Sequence, residues 1–236
     1  MKNRPISRIG VLSAALTFSL SLALNVQGEA LSAKVGSLKG GAFYDNGSGA
    51  VALASGAELT AGSVITTSPD SEIVLDLGAS GALRVLGGST LVIDRLNVES
   101  TGVGAVVDTQ IDLRNGSIAG SVPKFASALS KYEVKVPSGV VSIDARDQAS
   151  SFFITAPEDI NVVQGSSVFV YNRDGVVRSV RIAGGNQFNA SNNTAVPIPP
   201  TVQIPTLPTA TPAPTMVQVQ PTTTPFNFFI SPTKGE

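Results

Sequence analysis

From about residue 31 to residue 194, hydrophobic positions recur at every second residue. Ile73, Leu75 and Leu77 alternate around Val74 and Asp76, Leu91 and Ile93 flank Val92, Tyr132, Val134 and Val136 alternate with Glu133 and Lys135, and Val180 and Ile182 flank Arg181. A period of two places one set of side chains on one face of a pleated strand, so each segment predicts a β-strand with a buried face. Turn signals interrupt the strands at Asp45-Asn46-Gly47, Ser55-Gly56, residues 78–81, Gly87-Gly88, Asn115-Gly116, Ser138-Gly139, Asp174-Gly175 and Gly184-Gly185. Asn-Gly and Asp-Gly reach positive φ at low cost and therefore mark hairpins. Only residues 124–131 (KFASALSK) have the pattern of a helical turn or two. The prediction is an all-β domain of about a dozen short strands, either sandwich-like or a twisted β-solenoid-like stack, two architectures that a period of two does not separate.

Both ends of the chain depart from this pattern. Lys2, Arg4 and Arg8 precede an uncharged stretch over residues 9–26 that closes on Gln27-Gly28-Glu29-Ala30. Cations, an apolar centre and small residues at the −3 and −1 positions predict a secretory signal peptide over residues 1–30, cut after Ala30 or after Gly28. An apolar stretch of roughly 18 residues is at the lower limit for spanning a bilayer. The expected location is therefore periplasmic or secreted, with no integral membrane span after cleavage. At the other end, residues 195–236 hold 10 of the 15 prolines together with abundant threonine. Residues 195–225 predict a disordered Pro/Thr-rich linker, unable to form sheet or helix, that reaches ~90 Å at ~3.1 Å per residue in polyproline II. Residues 226–236 open with Phe226-Asn227-Phe228-Phe229-Ile230, uncharged and β-prone. Phe226, Phe228, Phe229 and Ile230 are candidate docking residues: such a segment adds as a strand to a sheet edge on this molecule or on a partner, returns to cover its own domain, or remains a disordered apolar end.

Composition narrows the chemistry. The 236 residues include no His, no Cys and no Trp, which removes Ser-His-Asp and Cys-His nucleophile systems, imidazole and thiolate zinc sites, His-ligated haem and disulfides. The formal net charge is −1, and the scattered Lys and Arg offer no phosphate-binding surface, so nucleic acid is not an expected partner. Ser121-Val122-Pro123-Lys124 has the Ser-x-x-Lys spacing, but a proline lies inside it and its context is strand. Asp45-Asn46-Gly47-Ser48-Gly49 is a partial calcium-loop pattern without its later acids. Asp108 with Asp112, and Asp144 with Asp147, are oxygen pairs expected at strand ends or in salt bridges with Arg114 and Arg146. No pair among the acids is marked out for glycoside hydrolysis. No residue is assigned a catalytic, cofactor-binding or metal-binding role.

The order of the strand and turn motifs carries more than any one of them. Leu59-x-x-Gly62-x-x-Ile65-x-Thr67, then Ser71-x-Ile73-x-Leu75-x-Leu77, then Leu83-x-Val85 and Ser89-x-Leu91-x-Ile93, resembles the opening of the FecR domain. Leu113-x-x-Gly116-x-Ile118 is similar to that family's second glycine turn, and the stretch from Tyr132 to Ile143 to its strand followed by an apolar run. Val162-x-x-Gly165 and Val180-x-Ile182-x-x-Gly185-x-Gln187-Phe188 match its closing strands in spacing. The resemblance covers roughly residues 35–188. One turn departs from it: the family usually carries Arg-Gly-Thr after the apolar run, whereas this chain has Asp144-Ala145-Arg146-Asp147 and keeps only Arg146.

The resemblance implies a periplasmic all-β domain with a twisted, solenoid-like fold. The family's regulators flank that domain with a cytoplasmic anti-sigma segment and a receptor-contacting domain. Here eight residues precede the apolar stretch and a Pro/Thr-rich tail follows Phe188, so neither flank is expected. The function expected is a non-enzymatic, exported FecR-like protein acting as an envelope protein-interaction or signalling module, with an envelope or secreted protein as partner and no cofactor. The alternatives are a calcium- or glycan-binding secreted domain and a structural component of a cell-surface layer. Gly62, Gly116 and Gly185 are the expected structural turns, and Arg146 is the remnant of the family turn.

Overall fold

The computed structural model describes residues 29–209, apart from 102–103, 158 and 190–192. The chain runs through β1 (Glu29–Ala30), β2 (Ala33–Lys39), β3 (Ala42–Asp45), β4 (Val51–Ala52), β5 (Glu58–Leu59), β6 (Val64–Thr67), β7 (Glu72–Asp76) and β8 (Ala82–Val85). The long hairpin of β9 (Thr90–Thr101) and β10 (Gly104–Asn115) follows, then β11 (Ser117–Val122), β12 (Lys131–Val136), β13 (Gly139–Asp144), β14 (Ser150–Thr155) and β15 (Asp159–Gln164). The last coils are β16 (Ser166–Arg173), β17 (Val176–Ala183), β18 (Asn186–Asn189) and β19 (Thr194–Pro197). The protein is all-β, with a single short 3₁₀ turn at Gly78–Ser80 among the described residues.

Two large sheets form, and neither closes into a barrel. The first has ten strands in the order β17-β16-β13-β12-β10-β9-β6-β3-β4, with β1 paired to the far half of β9. The second has nine, β19-β18-β15-β14-β11-β8-β7-β2-β5. Both orders follow the sequence from one end of the molecule to the other. From β12 onward the chain lays two strands in the first sheet, crosses, lays two in the second and crosses back. The fold thus combines both expected architectures: a two-layer sandwich, wound coil by coil as a solenoid is. All ladders are antiparallel except β10 with β12, which run parallel because β11 carries the chain through the other sheet between them.

The core lies between the layers, and the period-two positions build it. Ile73, Leu75, Leu83, Ile118, Ile154 and Ile160 from the second sheet, and Ile65, Leu91, Ile93, Ile111, Val134 and Val141 from the first, are fully buried. Rings bridge the layers, with Tyr132 and Phe152 centred 5.9 Å apart and Phe169 and Phe188 5.6 Å apart. At 0.8 kcal/mol or so per buried CH₂, such side chains dominate the stability of the fold.

The crossings between layers need close backbone approach. At Gly116, between β10 and β11, φ is 85° and an added Cβ would sit 2.5 Å from the Cα of Ser89. Buried Ser89 closes this corner: its Oγ accepts the Ser117 N–H at 2.9 Å and donates to the Ser117 carbonyl at 3.2 Å. Gly165 against Ser150, and Gly40 against Ser71, repeat the device at two other crossings. The Asp174-Gly175 turn joining β16 to β17 has positive φ at both residues, 55° and 77°, the geometry that suits the twist of a two-residue hairpin.

Three expectations need correction. Among the described residues the strands number 19 rather than about a dozen, in part because β1, β4 and β5 are two-residue pairings that no periodicity reveals. Residues 124–131 form no helix: Phe125 is drawn into the core and its N–H donates to the Ala145 carbonyl at 2.8 Å, which holds the segment as a loop between layers. The Pro/Thr-rich chain does not begin as a linker at residue 195, since Thr194–Pro197 pairs with β18. Proline is tolerated there because β19 is an edge strand and Pro197 is its last residue. Ile198 then donates to the Gly185 carbonyl at 2.9 Å, and Pro208 is buried.

Candidate functional site

The outward face of the first sheet is divided by chemistry. Strand register sets two rows of side chains across it. One row is Arg95, Gln110, Glu133, Ser142, Val168 and Arg181; the next is Val92, Asp112, Lys135, Val140, Val170 and Ser179. On the β9–β10–β12 side, opposite charges face each other. Arg95 lies 3.2 Å from Asp108 and 3.4 Å from Glu133, Gln110 donates to Glu133 at 2.9 Å, and Lys135 donates to Asp94 at 3.0 Å. Arg114 lies 3.3 Å from Asp112. The hydrogen bond from Lys135 to Asp94 holds the lysine above its ordinary pKa.

On the β13–β16–β17 side the second row turns apolar at Val140 and Val170, while the first keeps Ser142 and Arg181 on either side of Val168. Val140 and Val170 are directly opposed, and Val177 stands 70% exposed on β17. Together with Pro137 they form a groove of about 630 Å³, with Asp112, Arg114 and Lys135 along one wall and Asn172 on the other. Its floor is fixed from beneath. A Cβ at Gly139 would lie 2.8 Å from the Phe169 ring, so β13 and β16 close together over a stack in which Phe169 and Tyr171 lie 5.0 Å apart. The groove is therefore a preformed apolar trough with a polar rim, a form suited to receiving side chains from another molecule.

The oxygen clusters read from sequence are already engaged. Asp45 Oδ1 accepts the N–H groups of Gly47 at 2.7 Å and Gly49 at 3.0 Å, which makes the loop an Asx-type turn. Asp108 faces Arg95 and Asp112 faces Arg114. Asp144 receives both prongs of Arg146, at 2.9 and 3.0 Å, and lies 3.4 Å from Arg181. The Arg146 hydrogen bond is the main reason the Asp144 carboxyl titrates below the usual range. Among the described residues no three His, Cys, Asp or Glu side chains gather as a metal would require. Ser121 sits in β11 and Lys124 in the following loop, with no helix to align them.

Of the turn residues, Gly62 follows β5 with φ 91°, Gly116 carries the crossing already described, and Gly185 joins β17 to β18 with φ 81°. Arg146 lies in the crossing from β13 to β14, where its side chain is largely exposed and fastened to Asp144. Phe226, Phe228, Phe229 and Ile230 lie outside the described residues. The structure thus brings Arg146 and Arg181 together on Asp144 and leaves the three glycines far apart along the coils.

Sequence reasoning missed the groove. Its signal was present in Val140-Val141 and in Val168-Phe169-Val170-Tyr171, where apolar residues occupy both faces of a strand whose neighbours alternate with polar ones. No family model matches the chain, and no curated protein matches it.

Proposed function

We propose that the protein is an exported, non-catalytic FecR-like module of the cell envelope that works by binding another protein. The observation that carries this proposal is the groove over Val140, Val170 and Val177. The charged half of the same sheet face is neutralised internally, so the trough is the part of that face left with surface to offer. Its partner presents an apolar side chain or two within a polar segment, the complement of an apolar floor and an ionic rim. The order of glycine turns and strands from Leu59 to Phe188 supports the family assignment, and the charged, then apolar, N-terminal segment supports export to the periplasm or beyond. Among the described residues no helix is long and apolar enough to cross a membrane. Since β1 pairs with β9, a cut after Gly28 keeps this strand on the mature chain and a cut after Ala30 removes it.

The test is capture of partners from fractionated envelope by the tagged protein, beside Val140→Lys and Val170→Lys variants of unchanged thermal midpoint. A defined partner recovered by the parent and lost from both variants is the expected result. Equal recovery by all three places recognition elsewhere and refutes the groove as the binding surface.

A further inference from the structure

The two ends of the sandwich are finished differently. At the N-terminal end the outermost strands, β4 and β5, are two residues each, too short to template another chain. At the C-terminal end β19 is four residues and stops at Pro197, but β17 is eight residues long and, among the described residues, hydrogen-bonded on one side only. Its first two residues are exposed valines, Val176 at 53% and Val177 at 70%, followed by exposed Arg178, Ser179 and Arg181. A long, exposed, valine-bearing edge is the feature that natural sheets cover or interrupt.

A second copy is a poor cover. Antiparallel pairing of two β17 strands about Ser179 and Val180 sets Arg178 against Arg181 twice, and like charges directly opposite destabilise a ladder. A better-matched strand lies further along the same chain. Residues 226–231 are uncharged, carry three phenylalanines and an isoleucine, and are bounded by Pro225 and Pro232, which limit a strand to those six positions. The chain leaves the sheets at β19, in the same terminal coil as β17. From Thr209, the sixteen residues 210–225 reach ~50 Å in polyproline II, several times the ~10 Å between packed sheets. A tether of this length gives an effective concentration in the millimolar range.

We propose that residues 226–231 add to the open edge of β17 in the same molecule, as the eleventh strand of the first sheet. Alternate side chains of the added strand then continue the two faces of β17, and one set extends the wall of the groove beyond Val177. The assignment does not depend on the proposed partner, because the added strand lies beside the groove and not across its floor.

The chain has no cysteine and no tryptophan, so single reporters read without background. The test introduces Ser179→Cys with Asn227→Cys in the full chain, and Ala52→Cys with Asn227→Cys as the control at the opposite edge, under mild oxidation. The expected result is an intramolecular disulfide of monomeric mass from the Ser179 pair at several times the yield of the Ala52 pair. In parallel, a Phe228→Trp variant is expected to emit to the blue of free tryptophan and to shift back to the red when Val176→Lys is added. Equal yields from both pairs, a covalent dimer in place of the monomer, or emission indifferent to Val176→Lys would each overturn the assignment. Loss of partner capture from the groove variants with these reporters intact would bear only on the binding proposal.

Discussion

Glycine and serine at the layer crossings fix the geometry of this fold one residue at a time. Gly62 and Gly116 both have positive φ, but a Cβ at Gly62 meets nothing within 4 Å whereas one at Gly116 meets Ser89. Gly62→Ala is expected to cost about 1 kcal/mol for the left-handed backbone alone, and Gly116→Ala about 3 kcal/mol once the clash is added. Urea unfolding midpoints of the two variants measure the difference. Tyr132 makes the opposite case: it is buried with a hydroxyl that finds no hydrogen-bond partner among the described residues, and burial pushes its pKa well above 10. The folded chain then keeps a proton that the unfolded chain loses, so this contribution is intact below pH ~10 and is lost as pH rises beyond it. Lys135, raised by Asp94, adds a decline of the same sign. Tyr132→Phe is expected to gain up to ~1 kcal/mol at pH 7 and to flatten part of the alkaline decline, read from urea midpoints at neutral and alkaline pH. Gly40 was not singled out in sequence, whereas Gly116 was visible as a turn signal and Gly165 as part of a strand motif. The serines that face them were not, because their partners are 27, 15 and 31 residues away and only the winding brings them together.

Elements with one buried face were legible, and elements held by pairing alone were not. The alternations at Ile73, Tyr132 and Ile182 correspond to β7, β12 and β17, and Asp174-Gly175 to the hairpin between β16 and β17. By contrast, β19 carries one alanine and one valine ahead of Pro197 with no buried face, and it exists because β18 offers it a free edge. Composition marks it as linker and register makes it sheet. The difference has a measurable consequence. Compared with a chain ending after Thr209, one ending after Asn193 also loses β19 and the Ile198 to Gly185 hydrogen bond. At about 1 kcal/mol per lost backbone hydrogen bond, the shorter chain should be less stable by on the order of 2 to 4 kcal/mol, measured by calorimetry on the two truncated proteins. Equal midpoints would show that β19 contributes nothing to the fold.

Across the whole molecule, a chain without His or Cys has wound its strands so that one sheet face neutralises its own ions and then opens an apolar trough beside the terminal coil. The sequence period gave no access to this, because which outward residues become neighbours depends on the alternation of layers. Val140 and Val170 are thirty residues apart and directly opposed. The most direct test of recognition at this surface is photocrosslinking in cells, with a photoreactive side chain at Val170 in one version and at Val74, on the outward face of the second sheet, in another. The expected result is one discrete adduct, of the same mass in repeated preparations, from the Val170 version and none from the Val74 version. Adducts from both positions alike, or from neither, would contradict a binding role for the groove.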